Sequence, residues 1–544
     1  MFPSLDEVRA FAADGRYRRV PVCMELLADR FTPTEVLRTL RSASNHCFLL
    51  ESAETDGTQG RYSFLGFNPT LELTCTNGLL RIREGGADEL ERITERVVDH
   101  PGPAIREVLA RYASPQVAGM PPLAGGLVGY FSYDYVKYSE RRLRDNQLAD
   151  RDFRDVDLML FDQVIVFDHR RQKLLIVAGV QLDAAASRVA DRGEENGIKA
   201  ESAGATIPSL AGNVDALTGA PAKRVANSAA ADPIAAAYAA AQAACERIAA
   251  LIEGNTRAYF APLKLHEPLA PRFTQEAFTQ IIERAKHYIH EGDIFQVVLS
   301  NPLSAQASGS LFDAYRVLRA SNPSPYMFFF TSDDVELAGA SPETLTRLED
   351  GVVKTFPLAG TRPRGATEAE DAALEASLLA DEKELAEHNM LVDLGRNDLG
   401  RICKLGSVHV DEYLSIHRFS HVMHIGSEVS GRLRDDADAV DAIDSILPAG
   451  TLSGAPKLRA CEIIQELEGT KRGIYGGAVG YLDFTGNMDT CISIRLAYKK
   501  DGRVCVQSGA GIVADSNPAS EYAECRNKAR AVVAAIQAAE GGVR

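Results

Sequence analysis

Between Ser187 and Ala231 the chain changes character: alanine, glycine, serine, asparagine and aspartate dominate, and large apolar side chains are few. Such a stretch buries too little apolar surface to offset its ordering entropy, so it reads as a linker or a long surface insertion. Any fold the 544 residues adopt must therefore be built from the segments on either side of it. Four regions are predicted: 1–186, the linker or insertion 187–232, a connecting helix with its lead-in over 233–272, and a dense portion over 273–540.

Ahead of the linker, short apolar runs alternate with turn residues, as in HCFLLES, RYSFLGFNP, LELTCTNGLLRIREGG and VIVFDHRRQKLLIVAGV. Phe161–Asp168 and Lys173–Val180 flank a polar His-Arg-Arg-Gln segment, the pattern of an antiparallel hairpin. A helix is predicted over Ala104–Ala113. Beyond the linker, Pro233–Ile252 predicts an alanine-rich helix with proline in its first turn and Gly254 as its stop. From Phe273 onward strands and helices interleave without a second linker. The reading is an α+β fold, with extensive antiparallel sheets flanked by helices.

Hydrophobic residues at 45% and charged residues at 25% match a globular chain with a sizeable core. A net charge of -16 argues against a general nucleic-acid surface, which needs a basic stripe. A small anionic ligand remains compatible, because a few arginines and a metal ion reverse the field inside one cleft. The nine dispersed cysteines form no C-x-x-C pair and read as free thiols in a reducing compartment. No apolar run reaches membrane-spanning length, and the N-terminus has no signal-like apolar core. A cytoplasmic location is expected.

Two acidic pairs stand out. Glu384 and Glu387 are three apart in a long helical pattern, and Glu521 and Glu524 repeat that spacing near the C-terminus. Each pair projects from one helix face, and together they can close around one hard divalent cation. A solvated helix face explains the same spacing. Neither pair supplies E-x-x-H, which discounts a di-iron site. His417 and His421 have the spacing of a helical zinc pair, but the alternation around Val422, His424 and Ser427 reads as a strand leaving a loop. One of these histidines is a candidate acid or base. Ser508–Ala514 matches a dinucleotide fingerprint in letters only, because a turn at Asp515–Pro518 follows where a helix should begin. A backbone approached closely by a ligand fits it better. Gly360–Gly365 offers a hydroxyl, backbone donors and two guanidiniums, and Arg495 is expected to end an apolar strand, CISIR, where it can pair bidentately with a carboxylate.

Read in order, GDIFQVVLS, NPSPYMFFF, GASPETL, PLAGTRPRG, DEKELAEHNMLVDLGRNDLGRIC, HVMHIGSEVSG, LPAGTLSGAPK, GIYGGAVGYLDF, CISIR, QSGAGIVADS and EYAECRNKA closely resemble the chorismate-utilising enzymes, the anthranilate synthase component I family in particular. They cover nearly all of Phe273–Ala534, and LLES, GRYSFLGFNP and GGLVGYFSYD resemble that family's N-terminal region. The resemblance implies a chorismate-binding fold in which the sheets form a sandwich and the N-terminal region is regulatory. It implies a lyase that converts chorismate and ammonia to anthranilate and pyruvate, the first step of tryptophan biosynthesis, with Mg²⁺ as cofactor. Glu387 and Glu524 would hold the ion directly, Glu384 and Glu521 directly or through water. Gly360, Thr361, Tyr475, Arg495, Gly509 and Gly511 match the positions for the substrate's enolpyruvyl and carboxylate groups. His424 matches the histidine associated with proton transfer during pyruvate elimination.

Two positions bear on which family member the chain resembles. Gln296 stands where isochorismate and salicylate synthases carry a water-activating lysine, so ammonia is the implied nucleophile. Ala359 stands where many aminodeoxychorismate synthases carry lysine. Both favour anthranilate synthase over aminodeoxychorismate synthase component I, the nearest alternative. The resemblance also implies a tryptophan feedback pocket: Glu51 and Ser52 for the amino group, Pro325, Tyr326 and Met327 for the indole, with Leu50, Val479 and Tyr481 beside them. No cysteine lies in a G-x-C-x-G context, so use of glutamine implies a separate amidotransferase small subunit.

Overall fold

The computed structural model describes residues 1–52, 60–85, 91–144, 153–182, 232–254, 256–418 and 422–543. The compositional linker 187–231 lies outside them, as does His421.

Long apolar runs in this chain become strands covered on both faces. Gly126–Phe131, Val156–Phe161 and Val164–Asp168 are buried at every position, which is what uninterrupted apolar runs bounded by turns require. Among the described residues the strands assemble into two antiparallel sheets of 13 and 12 strands, mixed with helices as expected.

Each sheet has a contiguous block from before residue 182 and a contiguous block from after residue 264, joined along one pair of strands. In the larger sheet the seam is Cys47–Glu51 against Tyr326–Thr331. In the smaller it is Gly126–Phe131 against Ala478–Asp483.

The sheets pack face to face. Phe48, Phe328 and Phe330 of the larger meet Tyr130, Phe161 and Val479 of the smaller in one apolar layer. Phe48 and Phe161 meet edge to face across the gap, 4.7 Å between ring centroids, a contact worth about 0.5–1.5 kcal/mol beyond burial. Helices Pro33–Ala43, Pro233–Glu253, Phe312–Ser321 and Pro518–Ala539 cover the outer face of the larger sheet. Helices Gly102–Ala110, Glu382–Gly400 and Ala439–Ile446 cover the other. The helix at Pro233 starts where the sequence places it, with Asp232 accepting from Ile234 and Ala235 N–H. Among the described residues no helix is long and apolar enough to cross a membrane.

The expected hairpin is Val164–Asp168 against Lys173–Gln181. Phe161 is not part of it: it ends the preceding strand, in the other sheet. The bend at Asp162–Gln163 carries the chain between sheets, and the apolar run on both sides hid that crossing.

Candidate active site

The two acidic pairs lie on helices, as their spacing requires. Asp381 caps Glu382–Gly400 by accepting from Lys383 and Glu384 N–H, and is itself held by Arg362 at 2.8 Å. Glu384 accepts from Arg362 at 3.3 Å, and Glu387 from Gln296 Nε2 at 3.2 Å. Burial raises the Glu384 carboxyl and the charge of Glu387 raises it further, against the pull of Arg362. On Pro518–Ala539, burial raises Glu521, Ser516 opposes and Glu524 adds to the rise. Glu524 is exposed and paired with Lys528 at 2.8 Å. The helices face one space: Lys383 of the first acts on Glu521, and Lys528 of the second acts on His424 and Glu343.

Two pairs of mutually repelling carboxylates are a donor set suited to a hard divalent cation. An ion held there would have to displace Lys528 from Glu524. Among the described residues the four glutamates do not close into a three-ligand group. The group that does is His46, Glu72 and Asp333, far from these helices in sequence. Arg83 already fills it, 2.9 Å from Glu72 and 3.0 Å from Asp333.

The strand Leu358–Pro363 bulges where Gly360 takes φ +69°, breaking register against Val422–Arg432. The bulge brings Gly360 O to 2.9 Å and Thr361 Oγ1 to 3.0 Å from His424 Nδ1. A carbonyl oxygen only accepts, so the proton sits on Nδ1 and the lone pair on Nε2. Burial, with Arg495 and Lys528 nearby, pulls the imidazole down to about 4 against the Gly360 hydrogen bond, so it is neutral at physiological pH. His417 lies opposite His424 on the neighbouring strand, Cα partners in an antiparallel ladder, and not on a helix.

Gly509 and Gly511 lie in the strand Arg503–Ile512, opposite Ser300 and Val298. A methyl at Gly511 would stand 2.6 Å from Gln296 Nε2, and one at Gly509 would stand 2.9 Å from the Tyr475 hydroxyl. Gly360 and Glu384 are linked the same way at 3.3 Å. Burial raises the Tyr475 hydroxyl, which stays protonated. Gln296 is buried, and its Oε1 has no hydrogen-bond partner among the described residues.

Arg495 does not end a strand. It occupies the kink between Met488–Ile492 and Leu496–Lys500, where the chain passes from one sheet to the other, with φ +50°. A left-handed non-glycine residue costs about 1–3 kcal/mol and persists where a site over-determines it. Burial lowers its pKa and Glu343 opposes, yet the guanidinium makes no ion pair with any described carboxylate.

Sequence reading passed over Glu343, although GASPETL contains it. Its carboxyl is buried, accepts from Thr451 Oγ1 at 3.2 Å and from Leu358 N–H, and is pushed up to about 8 by burial. It is a neutral acid at pH 7. Arg472 was also missed. Fully buried, it donates to Leu452 O, Val298 O and Glu468, and lies 5.7 Å from the Tyr475 ring centroid, tying the floor of the site together.

The eight residues expected for the second ligand line one cavity of about 680 Å³ between the sheets. Leu50, Ser52, Pro325, Tyr326, Met327, Val479 and Tyr481 border it as expected. Glu51 borders it too, but its carboxylate is committed elsewhere: Tyr315 donates at 2.6 Å, Arg319 at 2.9 and 3.1 Å, and Ser63 at 3.1 Å. Strand alternation points Glu51 with Leu49 toward the outer helices, while Leu50 faces the inner layer. The expected amino-group contact therefore does not fall to the Glu51 side chain. Asp489, held by Arg347 at 3.2 Å and Tyr326 at 2.8 Å, is a carboxylate that does line the cavity.

Residues 45–534 match the family model described as chorismate binding enzyme. The chain is 41% identical to anthranilate synthase component 1 of Acetivibrio thermocellus over 548 residues, covering 99% of both chains. It is 42% identical to the protein of that name from Pseudomonas aeruginosa over 558 residues, again covering 99% of each. The crystal structure of anthranilate synthase component I from Streptococcus pneumoniae superposes with a TM-score of 0.67 at 34% identity, covering 88% of this chain and 94% of that one.

Proposed function

The chain belongs to the chorismate-binding enzymes and, among them, to the anthranilate synthase component 1 proteins, and from that premise we propose that it aminates chorismate and eliminates pyruvate to give anthranilate. The observation that carries this reading is the Gln296 amide. Its Nε2 is fixed on Glu387, and its Oε1 is buried without a donor. An orphaned buried acceptor suits an incoming ammonia, which brings the N–H it lacks. An amide cannot serve as the base that would activate water.

The rest of the site fits the two steps. Arg495 offers a guanidinium to a substrate carboxylate, beside glycines whose missing side chains leave backbone within reach. Glu343, protonated at neutral pH, supplies a proton to the departing ring hydroxyl as the amine adds. Neutral His424 then takes the ring proton beside the new amine as pyruvate leaves and the ring aromatises. Glu387 and Glu524 would hold Mg²⁺, with Glu384 and Glu521 directly or through water. When bound, the ion supplies charge complementary to a substrate carboxylate and to the leaving oxygen. Ala359 presents no amine to attack the ring, which weighs against an enzyme that stops after the first step.

Two further roles complete the reading. The cavity between the sheets takes L-tryptophan as a feedback inhibitor, with Asp489 and Ser52 as polar partners for its amino group. A small amidotransferase subunit delivers ammonia from glutamine, because all nine cysteines of this chain are buried and none is placed as an exposed nucleophile. Free buried thiols also fit a reducing, cytoplasmic setting.

The test is anthranilate fluorescence from chorismate, Mg²⁺ and ammonium, with and without tryptophan. A signal that needs magnesium and falls with tryptophan is expected. Chorismate consumed without anthranilate or pyruvate would replace this reading with aminodeoxychorismate synthesis.

A further inference from the structure

The catalytic face and the cavity share two elements. The strand Val422–Arg432 carries His424 at the first and, three and four residues on, Ser427 and Glu428 in the wall of the second. The helix Glu382–Gly400 sends Glu384 and Glu387 to the catalytic face and the next residue, His388, into full burial. There His388 Nε2 lies 2.7 Å from Ser427 Oγ.

That contact is the imidazole's one hydrogen bond among the described residues, since Nδ1 is buried with no partner. A buried N–H without an acceptor costs about 1–3 kcal/mol, so the proton belongs on Nε2, where Ser427 accepts it. Ser427 Oγ also accepts Leu414 N–H at 3.1 Å. Both lone pairs of the hydroxyl are thus used on the helix side of the strand, while the next residue, Glu428, faces the cavity and pairs there with Lys354. The Ser427 backbone N–H is fixed on Pro357 O at 3.1 Å, just ahead of the strand that forms the Gly360 bulge. Cavity wall, buried imidazole and acidic helix are thus joined through a single side-chain hydrogen bond.

We propose that the His388–Ser427 hydrogen bond couples the cavity to the acidic face of the helix, making His388 a positioning residue for Glu387. The inference rests on the reading of the cavity as the tryptophan site. An occupant that shifts the strand at Ser427 and Glu428, which border the cavity, moves the Ser427 hydroxyl and with it the imidazole. The helix transmits that movement to Glu387 one residue away and to Glu384 one turn earlier. Coupling is reciprocal: whatever factor tryptophan imposes on chorismate affinity, chorismate imposes on tryptophan affinity.

That reciprocity gives a test independent of turnover. The full chain contains no tryptophan, so the emission of added L-tryptophan reports its binding directly. Titrations are run with Mg²⁺, without ammonia, with and without chorismate, on the parent chain and on Ser427→Ala, His388→Leu and His388→Gln. In the parent, chorismate is expected to weaken tryptophan binding about tenfold. In Ser427→Ala and His388→Leu that factor should fall below about twofold while tryptophan alone still binds. His388→Gln should restore it, because its amide nitrogen reaches the place of the imidazole Nε2. A factor that stays near tenfold in Ser427→Ala overturns the proposal even if His388→Leu does not fold. Tryptophan binding in the parent without any chorismate effect overturns it as well. No tryptophan binding in the parent overturns the reading of the cavity itself.

Discussion

Replacing Glu343 with glutamine removes one ionisable proton and changes little else in size. The carboxyl's ordinary pKa of 4.5 is raised to about 8, burial being the main cause. Between those values the unfolded chain gives up the proton and the folded chain keeps it, so the parent loses stability steadily as pH rises from 4.5 to 8. At 1.36 kcal/mol per unit, the three units from pH 5 to pH 8 amount to about 4 kcal/mol. Glutamine does not titrate. The stability difference between Glu343→Gln and the parent should therefore shift in the variant's favour by about that much over the interval, read from urea midpoints at pH 5, 6.5 and 8. The same proton is assigned to the leaving hydroxyl. The parent should lose about tenfold in kcat between pH 7 and pH 9 at constant free ammonia, as the protonated fraction falls from about nine-tenths to one-tenth. The variant should lose 10²–10⁴-fold at pH 7 and show no alkaline limb of that origin. A variant that keeps the parent's rate, or whose stability difference ignores pH, would refute both the protonation state and the role.

His424→Asn should still consume chorismate but release pyruvate at least about 100-fold more slowly, the range for loss of a general base, so an aminated acid retaining its enolpyruvyl group accumulates. In the parent, elimination should fail only as pH drops through about 4, where the imidazole takes its proton; a limb near 6.5 would contradict the buried, neutral histidine. Gln296→Leu removes the amide that Glu387 anchors, and should raise the KM for ammonia at least about tenfold, the discrimination of roughly one polar contact, while leaving the KM for chorismate within about threefold. An equal rise in both would assign Gln296 to chorismate rather than to ammonia.

Without the family resemblance, the parts of the site legible from sequence are those set by a local period. Glu384 with Glu387 and Glu521 with Glu524 needed only the helical repeat to share a face, whereas Val479 and Tyr481 entered only through the family resemblance. The strand repeat argues against reading Leu50, Glu51 and Ser52 as one surface: alternation sends Glu51 to Tyr315 and Arg319. Glu343 left no mark, because the pKa of a carboxyl depends on what later folds over it. His388 likewise left no mark of its role, since its partner Ser427 is 39 residues away on another element. Strand existence was legible from apolar runs, but strand partners were not. Nothing in Gly126–Phe131 says that its neighbour is Ala478–Asp483.

Those two seams set a clock on synthesis. Gly126–Phe131 is paired on one edge only until Ala478–Asp483 arrives about 350 residues later. Cys47–Glu51 waits about 280 residues for Tyr326–Thr331. At about 5–20 residues per second the longer wait is roughly 20–70 s. Over about the first 200 residues of that interval, until Tyr326–Thr331 emerges, the nascent chain presents two open apolar sheet edges, and after that one, each matching in shape the strand it will later receive. Nascent chains on one messenger pass through this stage side by side. Crowded expression therefore invites one chain to lend its late strand to a neighbour's waiting edge, and slower initiation, which spaces the ribosomes apart, should raise the soluble yield more than slower elongation does.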